Sequence, residues 1–322
     1  MPVPKLVAAA QLLEGRPSIG GGDLATATQT ATDIAGVYLA TPDADAVWAA
    51  KAHAYTLLDL LDRATMTSGT RARLAAVVSD AACLVGYGHL NAGLLAEADA
   101  WFADALRLAR QAGDRKLEAF AVASRAWPSL YAPEPDRAAV REALEAAAAF
   151  QRFLPPAGRA WVFGFLAREH AALGDDLVSG RFLEQAQIAA AWIRHDGPGS
   201  GWWSTRGELS ALDGTRLQVS TGRRLLLLGR PADALPFLDS ALAGTTAPVF
   251  RAGLHDIVIG ACVALGEPDR ACASAHAALD EYDSHGIGLW PKEIRKARKT
   301  FPKPWATLRS VIELDERLAL AR

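Results

Sequence analysis

The sequence predicts an all-α fold, a right-handed superhelix of stacked antiparallel helix pairs. The chain has 322 residues, 51% of them hydrophobic, with abundant Ala and no strand-like alternation. Ala is the best helix former, so local propensity favours helices throughout. A glycine-containing turn also recurs along the chain, each time followed by small and bulky residues at helical spacing. Because such a unit cannot bury its apolar stripe alone, its copies must stack.

The repeated unit is a turn glycine, a small residue five positions later, an apolar residue four positions after that, and Ala three positions further on. The glycine ends one helix in a left-handed cap, and the small residue lets two helix backbones approach. The four copies are Gly93, Ala98, Phe102, Ala105 and Leu106; Gly174, Ser179, Leu183 and Ala186; Gly229, Ala234, Leu238, Ala241 and Leu242; and Gly266, Ala271, Ala275, Ala278 and Leu279.

The intervals between the turn glycines agree with helix pairs of about 40 residues. Gly93 and Gly174 are 81 residues apart, which leaves room for a weaker copy between them, and Gly229 precedes Gly266 by 37 residues. The 55 residues from Gly174 to Gly229 are about 15 too many for one helix pair, which predicts an insertion there.

Capping residues and prolines predict where each helix begins and ends. Asp23 caps a helix, and Pro231 and Pro268 occupy first helical turns, where the missing N–H costs nothing. The predicted helices are 4–14, 23–39, 43–64, 70–88, 91–112, 114–127, 136–153, 156–173, 175–194, 214–228, 231–243, 248–265, 268–284, 291–300 and 304–321, with a proline-rich break at 128–135.

These helices divide the chain into three parts. Residues 1–22 are an N-terminal helix and flexible link, residues 23–290 are the repeats with an insertion at 195–213, and residues 291–322 are capping helices. A terminal repeat needs a polar outer face, which the last two helices supply. The array should present a concave groove that binds a small molecule, an extended peptide or a partner helix.

Two stretches carry a resemblance to known proteins. Gly93–Leu106 and Leu228–Leu242, "LGRPADALPFLDSAL", resemble the second half of a tetratricopeptide repeat. The phrases "LPPAGRAWVFGFLAREHAALGDD", "GWWSTRGELSALDGTRLQVSTGRR" and "GEPDRACASAHAALDE" resemble the repeat half of actinobacterial helix-turn-helix regulators, from about Leu6 to the C-terminus. That resemblance implies a sensor role in transcriptional control. In that family a DNA-binding helix bundle precedes the repeats, and none is expected within this sequence.

Composition excludes several classes of function. The net charge of −2 and the pI near 6.4 lack the basic excess of a duplex-binding domain, so we do not expect direct DNA binding. Cys83, Cys262 and Cys272 have no ligand-like spacing and suit a reducing cytoplasm. No signal peptide and no run of membrane-spanning length is predicted, and neither are metal or cofactor motifs.

The insertion is the first candidate ligand site. Its glycines make the backbone flexible, and Trp202 and Trp203 favour a binding surface because they bury large areas at low entropy cost. Opposed charges follow them at Arg206, Glu208, Asp213 and Arg216. These residues are predicted to form a lid or wall of a ligand pocket. The alternative is a loop held by two packed Trp rings, with surface ion pairs of ~0–1 kcal/mol.

A second candidate site is the helix face of Trp161, Phe165 and Arg168, which recur at i, i+4 and i+7. Aromatic rings beside an arginine would receive a carboxylate or another ring. Alternatively, both rings belong to the core, and Arg168 packs its aliphatic stem on apolar surface while its guanidinium reaches water.

His53, Tyr87 and His89 are further candidates for ligand contact. They lie on N-terminal helices that are expected to contribute to the inner wall of the superhelix. A lone histidine on an amphipathic helix is more often structural, so that alternative stays open for both histidines.

These observations favour a non-catalytic cytoplasmic sensor or adaptor that binds a small molecule or peptide in its groove and acts on a protein partner. A pure protein–protein scaffold is one alternative. The other is an unconventional biosynthetic enzyme that uses His195, Glu208 and Asp213 as acid or base groups, although no catalytic motif requires it.

Overall fold

The computed structural model describes residues 8, 12–40, 44–193, 215–245, 248–285 and 288–321. This part of the chain is helical and contains no β-strand, only an isolated bridge between Ser18 and Thr65. The helices are α1 Gly21–Ala40, α2 Ala44–Arg63, α3 Ser68–Asn91, α4 Leu95–Ala112, α5 Arg115–Ser124, α6 Ala126–Leu130, α7 Arg137–Ala148, α8 Pro156–Ala172, α9 Asp176–Ala191, α10 Thr215–Leu227, α11 Pro231–Gly244, α12 Pro248–Leu265, α13 Pro268–His285, α14 Leu289–Arg298 and α15 Arg309–Leu320, with a 3₁₀ helix at Lys303–Thr307.

Neighbouring helices pack as hairpins, of which α3/α4, α8/α9, α10/α11 and α12/α13 have the most extensive contacts. The first helices of successive hairpins also contact one another: α3 packs on α5, α8 on α10, α10 on α12, and α12 on α14. The all-α solenoid of stacked helix pairs is therefore confirmed.

The repeat pattern has the predicted geometry at every copy. Gly93, Gly174, Gly229 and Gly266 all have φ between 73° and 77°, the left-handed region that glycine favours. The small residue five positions later is fully buried in each hairpin, so the two backbones approach there. Ser179 takes this place in α9, and its hydroxyl remains satisfied because it donates to the Ala167 carbonyl oxygen at 2.6 Å.

Two prolines act differently from the prediction. Pro128 was expected to start a break, but the chain only kinks at Arg125 and continues as the short helix α6. Pro291 was expected to begin a helix, whereas α14 already begins at Leu289. Both prolines lie in a first helical turn, where no intrahelical hydrogen bond is required of their nitrogen. As a result, Trp127 lies in α6 instead of at the end of the preceding helix, and Trp290 is helical instead of in a loop.

Helix α12 is long and apolar enough to cross a membrane by length and composition alone, with a mean hydropathy of 1.5 over 18 residues. This differs from the expectation that no run would reach such a length. Half of that window is buried inside the repeats, as in an ordinary core helix, so α12 is weak support for a membrane span.

Candidate functional site

The inner face of the superhelix is closed by its last helices. Helix α14 returns to pack against α3. The approach is tight, because a Cβ atom added to Gly288 would lie 3.2 Å from the Ala92 carbonyl oxygen. The rings of Trp290 on α14 and Tyr131 on α6 meet edge to face, with centroids 6.3 Å apart. We call the region where α14 meets α3, α6 and α12 the hollow, and these contacts define it.

A continuous row of aromatic rings, most of them buried in the core, runs from the α3/α4 hairpin to α8 beside the hollow. We call it the aromatic row, and its centroid distances are 5.2 Å for Phe102–Tyr87, 6.0 Å for Tyr87–Phe120, 5.6 Å for Phe120–Trp161, 6.2 Å for Trp161–Trp127 and 4.7 Å for Trp127–Phe165. The rings come from α3, α4, α5, α6 and α8, so consecutive repeats each contribute to one apolar wall. Edge-to-face and tilted pairs at these distances stabilise one another.

A chain of hydrogen bonds fixes the middle of the aromatic row. Trp127 Nε1 donates to the Tyr87 hydroxyl at 3.0 Å, and that hydroxyl lies 3.2 Å from Ser124 Oγ. Ser124 Oγ donates to the Phe120 carbonyl oxygen at 2.9 Å. Since the Ser124 proton is used there, the Tyr87 hydroxyl is the donor to Ser124. Every donor in the chain then has an acceptor, and the two rings are held in one orientation.

We expect Tyr87→Phe to lower the free energy of unfolding by about 1–3 kcal/mol, because it leaves the Trp127 indole N–H without its acceptor in a largely buried place. Chemical denaturation followed by circular dichroism measures this. Tyr55→Phe is the matched control, since Tyr55 is 54% exposed. An equal effect of both substitutions would show that the hydrogen-bond chain contributes nothing.

Charged side chains from four helices surround Tyr131. Arg168 lies on α8, Arg223 on α10, Asp256 on α12 and Glu293 on α14, and each of these charges acts on the pKa of the Tyr131 hydroxyl. Burial is the largest influence and raises that pKa. Groups on four helices reach one ring because these helices converge on the hollow. We call these four charged groups the charged wall; it adjoins the aromatic row, because Arg168 lies over the Phe165 ring.

The two acids of this wall hold their protons more tightly than usual. Burial raises the pKa of Asp256, and the positive charges of Arg223 and Lys296 oppose the change. Burial likewise raises the pKa of Glu293, which lies 3.9 Å from Lys296. Both shifts follow from the partial burial of these carboxylates, which are half-buried.

Arg168 is the most deeply buried charge at the site. Its residue is 5% exposed, and its guanidinium lies over the Phe165 ring at 4.3 Å from the centroid. Trp161 and Phe165 are also buried, with ring centroids 5.4 Å apart. The structure thus brings together the three residues whose spacing predicted one helix face. Burial, followed by the nearby charge of Arg223, holds the pKa of Arg168 well below its usual value.

Most of the predicted insertion site lies outside the described residues. Trp202, Trp203, Arg206, Glu208 and Asp213 all belong to that segment.

Arg216 is the described member of the insertion site. It lies on α10, and its guanidinium stacks over the Phe250 ring of α12 at 3.7 Å from the centroid. This contact joins two successive hairpins.

His53 lies on α2 and His89 lies on α3. The His53 ring is 1% exposed, and its Nε2 is 3.0 Å from the Ala27 carbonyl oxygen, to which it donates. Burial lowers the pKa of His89, and the charge of Lys51 lowers it further. In the described part of the chain, no hydrogen bond or ring contact joins either histidine to the aromatic row.

Sequence reasoning missed several residues of the hollow. Trp127 and Tyr131 were assigned to the end of a helix and to a proline-rich break, and Trp290 to a loop. The available signal was that each proline can occupy a first helical turn. No local sequence pattern indicates that Arg223, Asp256 and Glu293 meet. Their convergence depends on the curvature of the whole superhelix.

Two other kinds of site receive no support. The described residues contain no group of three or more His, Cys, Asp or Glu side chains that could hold a metal ion. In the basic segment of α14, Arg298 pairs with Asp315 at 2.8 Å, and Arg295 donates to the last carbonyl oxygens of α15. These two cations therefore hold the terminal helix.

No family model matches the chain, and no curated protein matches it. Among solved structures, it is similar to the crystal structure of the tetratricopeptide-repeat domain of P58(IPK), at 13% identity over 99% of this chain and 98% of that chain. The TM-score is 0.24, so the two chains do not superpose as wholes. The fold assignment therefore depends on the helix packing of this chain itself.

Proposed function

We propose that this chain is a non-catalytic helical-repeat sensor that binds a small molecule in its hollow and passes the signal to a protein partner in the cytoplasm. The observation that carries the proposal is the meeting of an aromatic row with a charged wall inside one enclosed face. Ligand sites are typically concave and mostly apolar, with a few convergent polar groups.

The role in transcription is a separate part of the proposal. It is supported by the resemblance of three sequence phrases to the repeat half of actinobacterial regulators. With a net charge of −2, the chain would act through a DNA-binding partner rather than on DNA itself. Binding in the hollow would favour one curvature of the superhelix over another, because contacts reach it from both ends of the array.

Exposed apolar side chains at α9 support a protein partner. Leu177, Ile188 and Trp192 lie on one face of α9 and its end, and they are 68%, 58% and 59% exposed. The exposed Arg181 and Glu184 lie between Leu177 and Ile188 on this face, whereas Ile188 and Trp192 are adjacent at i, i+4. Neighbouring exposed apolar residues mark an interaction surface more often than single ones do. A pure protein–protein adaptor is therefore the second candidate function.

A thermal-shift experiment on the purified chain distinguishes the small-molecule sensor from the protein–protein adaptor. Fractions of an actinobacterial extract below about 1 kDa should raise the Tm by several degrees if a small molecule binds, because a ligand at 100 times its Kd stabilises by about 2.7 kcal/mol. Mass spectrometry of the retained fraction would then identify it. If no small-molecule fraction raises the Tm, the sensor proposal is wrong.

The adaptor function gives a different result in the same assay. Only the protein-containing fraction would then raise the Tm, and Leu177→Ser combined with Ile188→Ser should abolish that rise. Phe237→Ser is the matched control, as Phe237 is 40% exposed on another helix, α11.

A further inference from the structure

Arg168 differs from the other arginines of its neighbourhood because the neighbouring Glu169, whose charge acts on it, pairs with Arg137 instead. Arg137 pairs with the buried Glu169 at 2.9 Å, and Arg224 pairs with Asp176. Arg168 forms no ion pair within the described residues, and its Nε is buried without a hydrogen-bond partner. A guanidinium remains charged in proteins, so burying one without a counterion is costly. This cost needs a compensating anion.

A second buried donor without a partner lies next to Tyr131. The Trp290 residue is 3% exposed, and its indole Nε1 has no acceptor within the described part of the chain. Its ring contacts Tyr131, whose hydroxyl lies within the field of the Arg168 charge. Native proteins rarely leave buried donors unpaired, so each needs an explanation. Two such donors around one ring point to an acceptor atom supplied from outside the chain.

The surrounding charges limit the ligand to a single negative charge. Asp256 and Glu293 belong to the same wall, and Arg223 and Lys296 offset them in the field that they share. Glu169 and Arg137 also act on Arg168, so four cations stand against three acids and one positive charge is in surplus. A phosphate monoester, with close to two negative charges, would be repelled by the two acids. A carboxylate carries one charge and fits the planar donor fork of arginine.

The aromatic row supplies the rest of the recognition. Phe165 lies directly under the guanidinium of Arg168, and Trp161 and Trp127 follow at ring-contact distances. A flat apolar group attached to the carboxylate would continue this row, with the offset or edge-to-face contacts that aromatic rings favour.

We propose that the hollow binds an aromatic monocarboxylate, with its carboxylate on Arg168 and Trp290 Nε1 and its ring on the aromatic row. The proposal rests on the sensor function and names the chemical class of its ligand. The same group could be presented by a small acid or by the C-terminus of a peptide that ends in Phe. Both sources share the chemistry that Arg168 would recognise.

Matched pairs of acid and amide test the proposal. Indole-3-acetate and indole-3-acetamide represent the small molecules, and Ac-Ala-Ala-Phe with a free or amidated C-terminus represents the peptide. Titration calorimetry should show the acid of at least one pair binding about tenfold tighter than its amide. The pair that shows the preference identifies the source. Equal binding of acid and amide in both pairs, or no binding of any of the four probes, would overturn the proposal.

Arg168 variants separate an anion receptor from a structural arginine. Arg168→Met should remove the preference for acid over amide, and Arg168→Lys should keep part of it. Without ligand, Arg168→Met should also raise the Tm by about 2–5 °C, because an unpaired buried charge is replaced by an apolar side chain of similar length. Arg137→Met should instead lower the Tm, since it leaves Glu169 buried and unpaired.

Two further controls complete the test. Arg181→Met changes an exposed arginine of α9 and should alter neither preference nor Tm. Trp290→Phe keeps the ring and removes the indole donor, so it should weaken binding of the acid about fivefold. An unchanged acid preference in Arg168→Met would refute the assignment. If extract fractions still raise the Tm of the wild-type chain, the sensor function survives that failure.

Discussion

Phe102→Ala is expected to lower the free energy of unfolding by about 3–5 kcal/mol, the cost of a cavity left by a large buried ring. Phe102 is fully buried in the α3/α4 hairpin and forms one end of the aromatic row. Its ring fills a notch at Gly86, where an added Cβ atom would lie 2.5 Å from Phe102 Cε1. The neighbouring helices are rigid and close only partly over the cavity. Chemical denaturation measures the loss.

A second test adds an atom to the notch instead of removing the ring that fills it. Gly86→Ala should also destabilise the chain, although alanine is the better helix former, because the buried ring cannot move away. Gly36→Ala in α1 is the matched control, since an added Cβ there meets nothing within 4 Å, and it should stabilise slightly. Combining Gly86→Ala with Phe102→Leu should restore part of the loss. Simple additivity of the two losses would show that the notch does not hold the ring.

The hairpins were predictable because their rules are local. A left-handed turn needs glycine, and a close helix crossing needs a small residue at a fixed distance from it, so Gly229 and Ala234 specify one hairpin within six residues. The same holds for the helix face of Trp161, Phe165 and Arg168, which follows from the helical period alone. Both features are present in the structure as predicted.

The hollow was only partly predictable because its closure is not local. Trp290 meets Tyr131 across 159 positions of sequence, and the contact exists only because every intervening hairpin adds a small rotation. Small differences in the rotation of each hairpin add up along the array. The helical period of the sequence therefore does not predict which distant residues will meet. The roles predicted for Trp202 and Trp203 remain predictions, since both residues lie outside the described part of the chain.

The second large effect is expected with pH and originates at His53. Burial lowers the pKa of His53 from 6.5 to about 4, and the hydrogen bond to Ala27 opposes this only in part. Above pH 6.5 the ring is neutral in both the folded and the unfolded chain, so it does not affect stability. As the pH falls from 6.5 towards 4, the His53 ring binds a proton in the unfolded chain but stays neutral in the folded chain. Stability should therefore decrease over this window, by about 3 kcal/mol at pH 4.

His53→Gln isolates this contribution, because the glutamine amide can still donate to the Ala27 carbonyl oxygen but does not titrate. Burial also lowers the pKa of His89, His255 and His276, so the variant should keep a smaller decrease in the same direction. Denaturation curves at pH 7.5 and pH 4.5 provide the comparison, with the higher pH as the internal control. If the wild-type chain and the variant lose equal stability between these two values, His53 is not a buried neutral histidine and the packing of α1 against α2 is different.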